Sequence, residues 1–345
     1  MKRSAIIAFG IVLTLLLGVI TWRLSLPQEP LFHDRPESEW IKGIVYPVGL
    51  SQAQVQEQIQ RWRDFGPEGL QVLARALDRP PAGRRYRNCY ERLSKVLPYS
   101  LMRHLRTPGP RISGGPRHCV VVLLDQMGRD AWPVWPSVAR MLADEDDFVR
   151  QSAINFFTAN DGEFLKEKPR EKKKLLPLFI KNLQDTTIGN WGLRNNAAIA
   201  LKYYPDHAAI AAPALTKALQ DPAPHVRLRA AEALRRVDPE SAKKAGAVKV
   251  VIPIAQESDD QLASQAVSAL GDFQNEPELA VPALIEALRA TNTLVACTAV
   301  WTLDRAFHNE AKLIIPEIKK AAERNDSVAG YAKNALRDLE TSTPR

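Results

Sequence analysis

The chain has 345 residues, of which 45% are hydrophobic and 25% are charged, and its formal net charge is +8. This apolar fraction is typical of globular proteins and excludes a wholly disordered chain. Three cysteines are too few for a disulfide framework. The length allows two or three ordinary domains, unless the chain is an array of repeats.

The N-terminus has the features of a membrane anchor. A basic cluster at the start precedes residues 5–22, which carry no charge. A helix over this stretch would be about 27 Å long, enough for a bilayer core. Residues 1–23 are therefore predicted to be a cytoplasmic tip and transmembrane signal anchor of a single-pass protein of the bacterial inner membrane, with the rest outside the cytoplasm. Secretion after signal cleavage is the alternative, although no Ala-x-Ala site follows the apolar run.

The next segment, residues 24–54, is predicted to be a spacer with a short helix. Its first part contains two prolines, which stiffen the chain. Ser51 and Gln54 then resemble a capping box that opens a helix ending near Asp64.

From about residue 55 the chain repeats a pattern of two helices. Residues 136–150 align without a gap over residues 213–227, and Pro, Leu, Asp, Val and Arg coincide. The proline is expected in the first turn of an amphipathic first helix, where its missing N–H costs nothing. A turn with an aspartate and a second amphipathic helix follow. The pattern indicates one structural unit used several times.

The second helix of each unit gives the clearest register. Its central apolar residue recurs eight times, and the residue four positions earlier, on the same helix face, is small or medium-sized and apolar. The central residues are Leu93, Leu124, Phe157, Leu201, Leu234, Leu270, Leu303 and Leu336. The earlier residues are Cys89, Val120, Ala153, Ala197, Ala230, Ala266, Ala299 and Ala332. Small side chains at this position would let the next helix approach closely, so the units are expected to stack.

Stacking is required because one helix pair cannot bury its own apolar face. We therefore predict an all-α fold, a right-handed α-solenoid of about eight helix pairs over residues 55–340, behind the transmembrane helix. A basic loop is predicted as an insertion at about 160–174, and a disordered tail at 341–345.

These motifs resemble HEAT repeats, particularly the short bacterial kind, over roughly residues 55–340. The segment ahead of them is similar to the start of membrane-anchored bacterial HEAT-repeat proteins. The resemblance implies a ladder in which the turn Asp and the second-helix Arg link neighbouring repeats. The matching residues are Asp144 with Arg150, Asp185 with Arg194, and Asp221 with Arg227. Ala290 and Ala296 replace the pair in a later copy, which implies less regular stacking there.

The sequence contains no set of residues typical of an enzyme. The six histidines fall on different copies and none has a metal-ligand spacing such as His-Glu-x-x-His. The cysteines lie within predicted helices, where a buried thiol is more frequent than a reactive one. The chain is therefore predicted to be non-enzymatic, with neither cofactor nor bound metal.

The positive charge is concentrated between Arg61 and Cys119. A predicted electrostatic patch in this region consists of Arg84, Arg85, Arg87, Arg92 and Lys95. Such a patch attracts anionic lipid headgroups, acidic proteins or nucleic acid. Its place next to the predicted anchor favours lipid or an acidic partner, and a solvated face without a ligand is the alternative.

The function that fits these features is a membrane-tethered scaffold whose concave groove, lined by second helices, binds a protein or peptide. Two alternatives stay open. One is a nucleic-acid-binding HEAT-like protein, which an exported chain disfavours. The other is a HEAT-like lyase or lyase-associated protein of the phycobilin type, for which the sequence offers no residues.

Overall fold

The computed structural model of the protein describes residues 29–79, 115–187, 189–257 and 259–342, with the single positions 90, 92, 93 and 96. The chain starts with a small antiparallel hairpin, β1 (Leu31–Phe32) and β2 (Arg35–Pro36), in which Leu31 pairs with Pro36. This hairpin precedes the predicted repeats and is the only departure from an all-α fold in the described residues.

Helices make up nearly all of the rest. In chain order they are α1 (Glu37–Lys42), α2 (Gln52–Asp64), α3 (Gly66–Asp78), α4 (Pro116–Met127), α5 (Trp135–Met141), α6 (Asp147–Glu167), α7 (Pro169–Leu183), α8 (Trp191–Leu201), α9 (Ala208–Ala218), α10 (Pro224–Val237), α11 (Pro239–Lys244), α12 (Ala247–Ile254), α13 (Asp260–Leu270), α14 (Pro277–Leu288), α15 (Thr293–Ala306), α16 (Ala311–Ala322) and α17 (Ser327–Ser342). Short 3₁₀ helices cover Gly128–Val134, Pro205–His207 and His308–Glu310.

The predicted capping box at the start of α2 is present. The Ser51 hydroxyl accepts a hydrogen bond from the Gln54 backbone N–H at 3.3 Å, and Gln54 Oε1 accepts one from the Ser51 N–H at 2.9 Å. Two backbone donors that the helix leaves unpaired are thereby satisfied.

The described helices form a stack of seven pairs. Each first helix packs against the second helix that follows it, in the pairs α3–α4, α5–α6, α7–α8, α9–α10, α12–α13, α14–α15 and α16–α17. Most second helices also pack against the second helix of the next pair. The prediction of a helical repeat array is confirmed in these residues.

Seven of the about eight predicted pairs lie in the residues that the structure describes. The eighth pair was expected around Leu93, in a stretch that lies mostly outside the described residues. In the part that is described, α4 packs directly against both α2 and α3. The helices on either side of residues 80–114 therefore form a single pair.

The predicted seam of small residues is buried. Each of the seven that the structure describes has no exposed surface: Val120, Ala153, Ala197, Ala230, Ala266, Ala299 and Ala332. The central residues from Leu124 to Leu303 are also fully buried, whereas Leu336 in the last helix is only partly so. Close approach of neighbouring second helices at these positions gives the stack its continuous apolar core.

The prolines of the first helices lie deeper than expected. Pro213 was predicted in the first turn, but α9 begins at Ala208 and includes it. The same internal placement recurs at Pro177, Pro253, Pro282 and Pro316. An internal proline removes one backbone hydrogen bond, so the first helices of most pairs lack one such bond at the proline.

The predicted basic loop at about 160–174 is mostly helical, so that prediction is wrong. Helix α6 is interrupted at residues 159–162, where Asn160, Asp161 and Gly162 have φ between 49° and 69°, and then resumes to Glu167. Phe164 and Leu165 are buried in the core, which holds this stretch against the stack. The lysines that suggested a loop belong to the end of α6 and the start of α7.

The predicted localisation at the bacterial inner membrane is contradicted and is not retained. Among the helices of the described ranges, none is both long enough and apolar enough to cross a bilayer. The longest, α6, is interrupted and carries several charged residues. The predicted span at residues 5–22 lies outside the described residues. At the other end, α17 runs to Ser342, within the predicted tail.

Candidate functional site

The outward side of the second helices forms one surface, here called the second-helix face. It is marked by the exposed or half-buried residues two positions before each central apolar residue. These are Val122, Asn155, Ile199, Glu232, Ser268, Trp301 and Asn334. Because neighbouring second helices are in register, these side chains follow one another along the stack.

Hydrogen bonds between side chains connect neighbouring helices on this face. Asn196 Nδ2 donates to Asn155 Oδ1 at 2.8 Å, which joins α8 to α6. The hydroxyls of Ser264 and Thr298 lie 2.9 Å apart and join α13 to α15. The second helices are therefore held in a defined arrangement along this face.

One part of this face is a concave cleft of about 510 Å³, here called the charged cleft. All of its lining residues are charged: Lys202, Arg229, Glu232, Arg235, Arg236 and Asp272. Four cations and two carboxylates give the lining a net charge of +2. The cleft lies where the end of α8, the outward side of α10 and the residue following Gly271 meet.

A change in the stacking accompanies the cleft. Helix α10 packs more extensively against α12 than against α13, the next second helix. The short helix α11, which Asp238 caps by accepting the Ser241 N–H, is inserted between α10 and α12. The insertion lengthens the connection after α10, and the second-helix layer is looser at this junction than at the others.

The cations of the charged cleft differ in how they are paired. Arg229 donates to both carboxylate oxygens of Glu232, at 3.0 and 2.8 Å, and to Gln265 Oε1. The Lys202 ammonium lies 4.8 Å from the centre of the Tyr203 ring and 3.7 Å from an Asp161 oxygen. Within the described ranges, Arg235 and Arg236 make no ion pair, and Arg235 Nε is buried without a hydrogen-bond partner. Two guanidinium groups are thus available to an anion.

The two carboxylates of the charged cleft are in an environment that disfavours their charge. Burial raises the pKa of Glu232, although Arg229 acts in the opposite direction. Burial also raises the pKa of Asp272, against the effect of Arg235, Arg236 and Lys202. Desolvation is the larger influence for both groups.

The residues of the implied Asp–Arg ladder lie at the edge of the second helices. Arg194 Nε donates to Asp221 Oδ2 at 2.7 Å, and Arg150 Nη2 lies 2.9 Å from Asp185 Oδ2. Arg150 and Arg194 also donate to the backbone carbonyl of the aspartate in their own turn, Asp144 and Asp185, at 2.7 and 3.2 Å. The structure thus places each arginine between the turns of two successive repeats.

The ladder has one rung that the sequence analysis missed. Arg117 Nη2 donates to Asp144 Oδ1 at 3.1 Å, which joins α4 to the next turn. A signal was available, because Arg117 stands seven positions before Leu124, as Arg150 does before Phe157.

The ladder ends at Arg227, which bonds only to the carbonyls of Asp221 and Pro222 at 3.0 and 3.1 Å. In the described part of the chain it has no carboxylate partner. In the later turns, the Asn292 side chain caps α15, and Arg324 donates to the Leu288 and Ala290 carbonyls.

The electrostatic patch predicted from the sequence falls almost wholly outside the described residues. Arg84, Arg85, Arg87 and Lys95 belong to that stretch. Arg92 is described and is exposed. The grouping of these five residues into one patch therefore stays a prediction.

Comparison with known proteins identifies one repeat type. The family model described as HEAT repeat matches residues 211–239, which cover most of α9 and all of α10. This match supports a HEAT-repeat protein, although it spans a single helix pair. No curated protein matches the chain.

Several solved structures are similar at low identity. The Escherichia coli protein YibA has 15% identity and a TM-score of 0.45, over 92% of this chain and 100% of its own. An archaeal HEAT-like repeats protein from Thermococcus onnurineus NA1 has 15% identity and a TM-score of 0.40, over 68% and 99%. A designed armadillo repeat protein has 17% identity and a TM-score of 0.42, over 59% and 99%.

Proposed function

We propose that this HEAT-repeat chain is a non-enzymatic scaffold that binds a protein or peptide partner along its second-helix face. A stack of helix pairs provides a long, semi-rigid surface, and the second helices line its concave side in such architectures. The partner would be recognised by side chains distributed along several repeats rather than in one deep pocket.

The observation that carries this proposal is the location of the exposed aromatic side chains. Among the described residues, every exposed aromatic side chain that lies in a helix lies in a second helix. They are Phe148, Trp191, Trp301 and Tyr331, between 45% and 55% exposed. Aromatic side chains, tryptophan above all, are frequent anchors of protein interfaces because they bury a large area with little loss of conformational freedom.

Site-specific photocrosslinking in the source cells tests the proposal. A photoreactive amino acid at Ser268, exposed on the second-helix face, should give a discrete adduct with a partner. The same substitution at Lys217, exposed on the first helix α9, is the matched control and should not. Trp191→Ala with Trp301→Ala should reduce the Ser268 adduct at least several-fold. Equal adducts from both positions, or none from Ser268, would contradict the proposal.

The basic patch predicted from the sequence has a separate proposed role in this function. Clustered arginines raise the rate at which an acidic partner is encountered more than they raise final affinity. Reversing the charge of Arg84, Arg85 and Arg87 should therefore lower the association rate and weaken its dependence on salt. Unchanged association at low ionic strength would remove the patch from the proposal.

Binding of nucleic acid is the less favoured function. A nucleic acid chain carries regularly spaced phosphates and requires cations along the whole contact. On the second-helix face, the positions on either side of the charged cleft are neutral, including Asn155, Ile199 and Ser268. The cations of the cleft form one isolated cluster, too short to follow a chain of phosphates.

A further inference from the structure

We infer that the charged cleft is a carboxylate-binding site for an acidic segment of the partner, with Arg235 and Arg236 as the binding residues. This inference rests on the proposed function and assigns a ligand chemistry to one part of the second-helix face. The segment would present a glutamate or aspartate side chain, or a terminal carboxylate, to the two guanidinium groups.

The first argument is that these two arginines are available. Arg117, Arg150 and Arg194, which also lie on second helices, are all bound to aspartates. Arg235 and Arg236 have no ion pair in the described residues, and the buried Nε of Arg235 lacks an acceptor. A carboxylate entering the cleft would therefore meet two guanidinium groups that no carboxylate already holds.

The second argument is that the cleft is arranged around them. Arg229 is held by Glu232 and Gln265, so it lines the cleft without blocking its opening. Lys202, which also lines the cleft, is held over the Tyr203 ring. The looser stacking of α10 against α13 accompanies a volume of about 510 Å³, which suffices for an acidic side chain and its adjoining backbone.

The third argument concerns the kind of anion. A guanidinium group presents parallel N–H donors that match the two oxygens of a carboxylate. Phosphate shares this geometry, but it carries more charge, and Glu232 and Asp272 line the same cleft. A net lining charge of +2 would be balanced by two carboxylates or by one phosphate dianion, so a phosphoserine peptide is included in the test. The positions of this face beyond the cleft are neutral, so they would not attract the further phosphates of a nucleic acid.

Fluorescence anisotropy with defined probes tests the inference. A fluorescein-labelled hexaglutamate peptide is expected to bind the full chain, and a hexaglutamine peptide of the same length is not. Arg235→Gln with Arg236→Gln should weaken hexaglutamate binding at least ten-fold. The matched control, Lys217→Gln with Lys243→Gln, removes the same charge from exposed positions of α9 and α11 and should change binding less than two-fold.

The possible outcomes separate this inference from the proposed function. No binding of hexaglutamate, or an equal loss in both double variants, would overturn the carboxylate site. Displacement of the peptide by a 20-nucleotide single strand or by a phosphoserine peptide at lower concentrations than free hexaglutamate would also overturn it. If the Ser268 adduct persists in Arg235→Gln/Arg236→Gln, the carboxylate site fails and the scaffold function stands. If wild type gives no adduct, the scaffold function fails. Unchanged thermal unfolding of both variants verifies their folding.

Discussion

At the scale of single residues, the clearest feature is the different surroundings of the arginines. Arg194 and Asp221 are each about nine-tenths buried, whereas Arg61 and Glu57 form an exposed pair within one helix. A buried pair costs desolvation but becomes strongly destabilising when only one partner is removed. An exposed pair contributes little, because solvent screens it. Removing one partner is therefore expected to lower the stability of the protein much more at the buried pair than at the exposed pair.

Arg194→Met tests this difference. The substitution removes the arginine donors of the Asp221 carboxylate. The donors that remain include the Ala223 N–H, at 2.9 Å. We expect the free energy of unfolding in urea to fall by about 3 kcal/mol. Arg61→Met, the control, should lower it by no more than about 0.5 kcal/mol. Similar losses in the two variants would show that the buried ladder has no special weight.

Asp125 gives a second prediction at this scale, concerning pH. Burial raises its pKa to about 6. The folded chain thus binds this proton more tightly than the unfolded chain, and the resulting stability is present at acidic pH and lost as pH rises through about 6. Asp125→Asn should therefore stabilise the protein at pH 8, by up to about 3 kcal/mol.

The comparison of the two proteins is made by urea unfolding at pH 8 and at pH 4.5. The advantage of Asp125→Asn should shrink at the lower pH, because the wild-type carboxyl is then protonated. Asp64→Asn, at an exposed position, should alter stability by less than about 0.5 kcal/mol at both values. An advantage of Asp125→Asn that is the same at both pH values would contradict the assignment.

At the scale of elements, the break in α6 replaces what looked like a loop. Three successive residues with positive φ turn the chain, and Asp161 is bound there by Lys166 and by the Tyr203 hydroxyl at 2.6 and 2.9 Å. These contacts hold the carboxylate, and the pKa of Asp161 falls to about 2, with the Lys166 hydrogen bond as the main cause. A tertiary contact with Tyr203, two residues after the end of α8, thus fixes a local conformation that charge patterning alone suggests is a solvated loop.

Gly162→Ala tests the role of this break. Gly162 has φ of 69°, and an added Cβ would lie 2.6 Å from atoms of the Tyr203 ring. Strain and overpacking together should lower the free energy of unfolding by about 2–4 kcal/mol. Gly330→Ala is the control, since that helical position has open space, and it should raise stability by about 0.5–1 kcal/mol. Equal effects on thermal unfolding would contradict the argument.

At the scale of the whole molecule, the features that recur with the repeat were predicted from the sequence, and the features that interrupt the repeat were missed. Seven small residues of the seam and the Asp–Arg pairs recur in register, so the period reveals their partners. The charged cleft accompanies the insertion of helix α11, which interrupts the period. Arg235 and Arg236 lie just after the central Leu234, where the pattern assigns no role. The interrupted α6 was missed because buried Phe164 and Leu165, not local propensity, fold it. The sequence has no equivalent signal for these long-range contacts.

The last prediction concerns how stability is distributed along the stack. Because each pair contacts mainly its neighbours, removing a terminal pair should shorten the array without abolishing folding. Deleting residues 308–345 removes α16 and α17 and exposes only the apolar side of α14 and α15 that they cover. We expect circular dichroism to show retained helix per residue, a lower urea midpoint, and hydrogen-exchange protection that is unchanged in α6 and α8 but reduced in α15. Loss of protection throughout the chain would show instead that the stack folds as one indivisible unit.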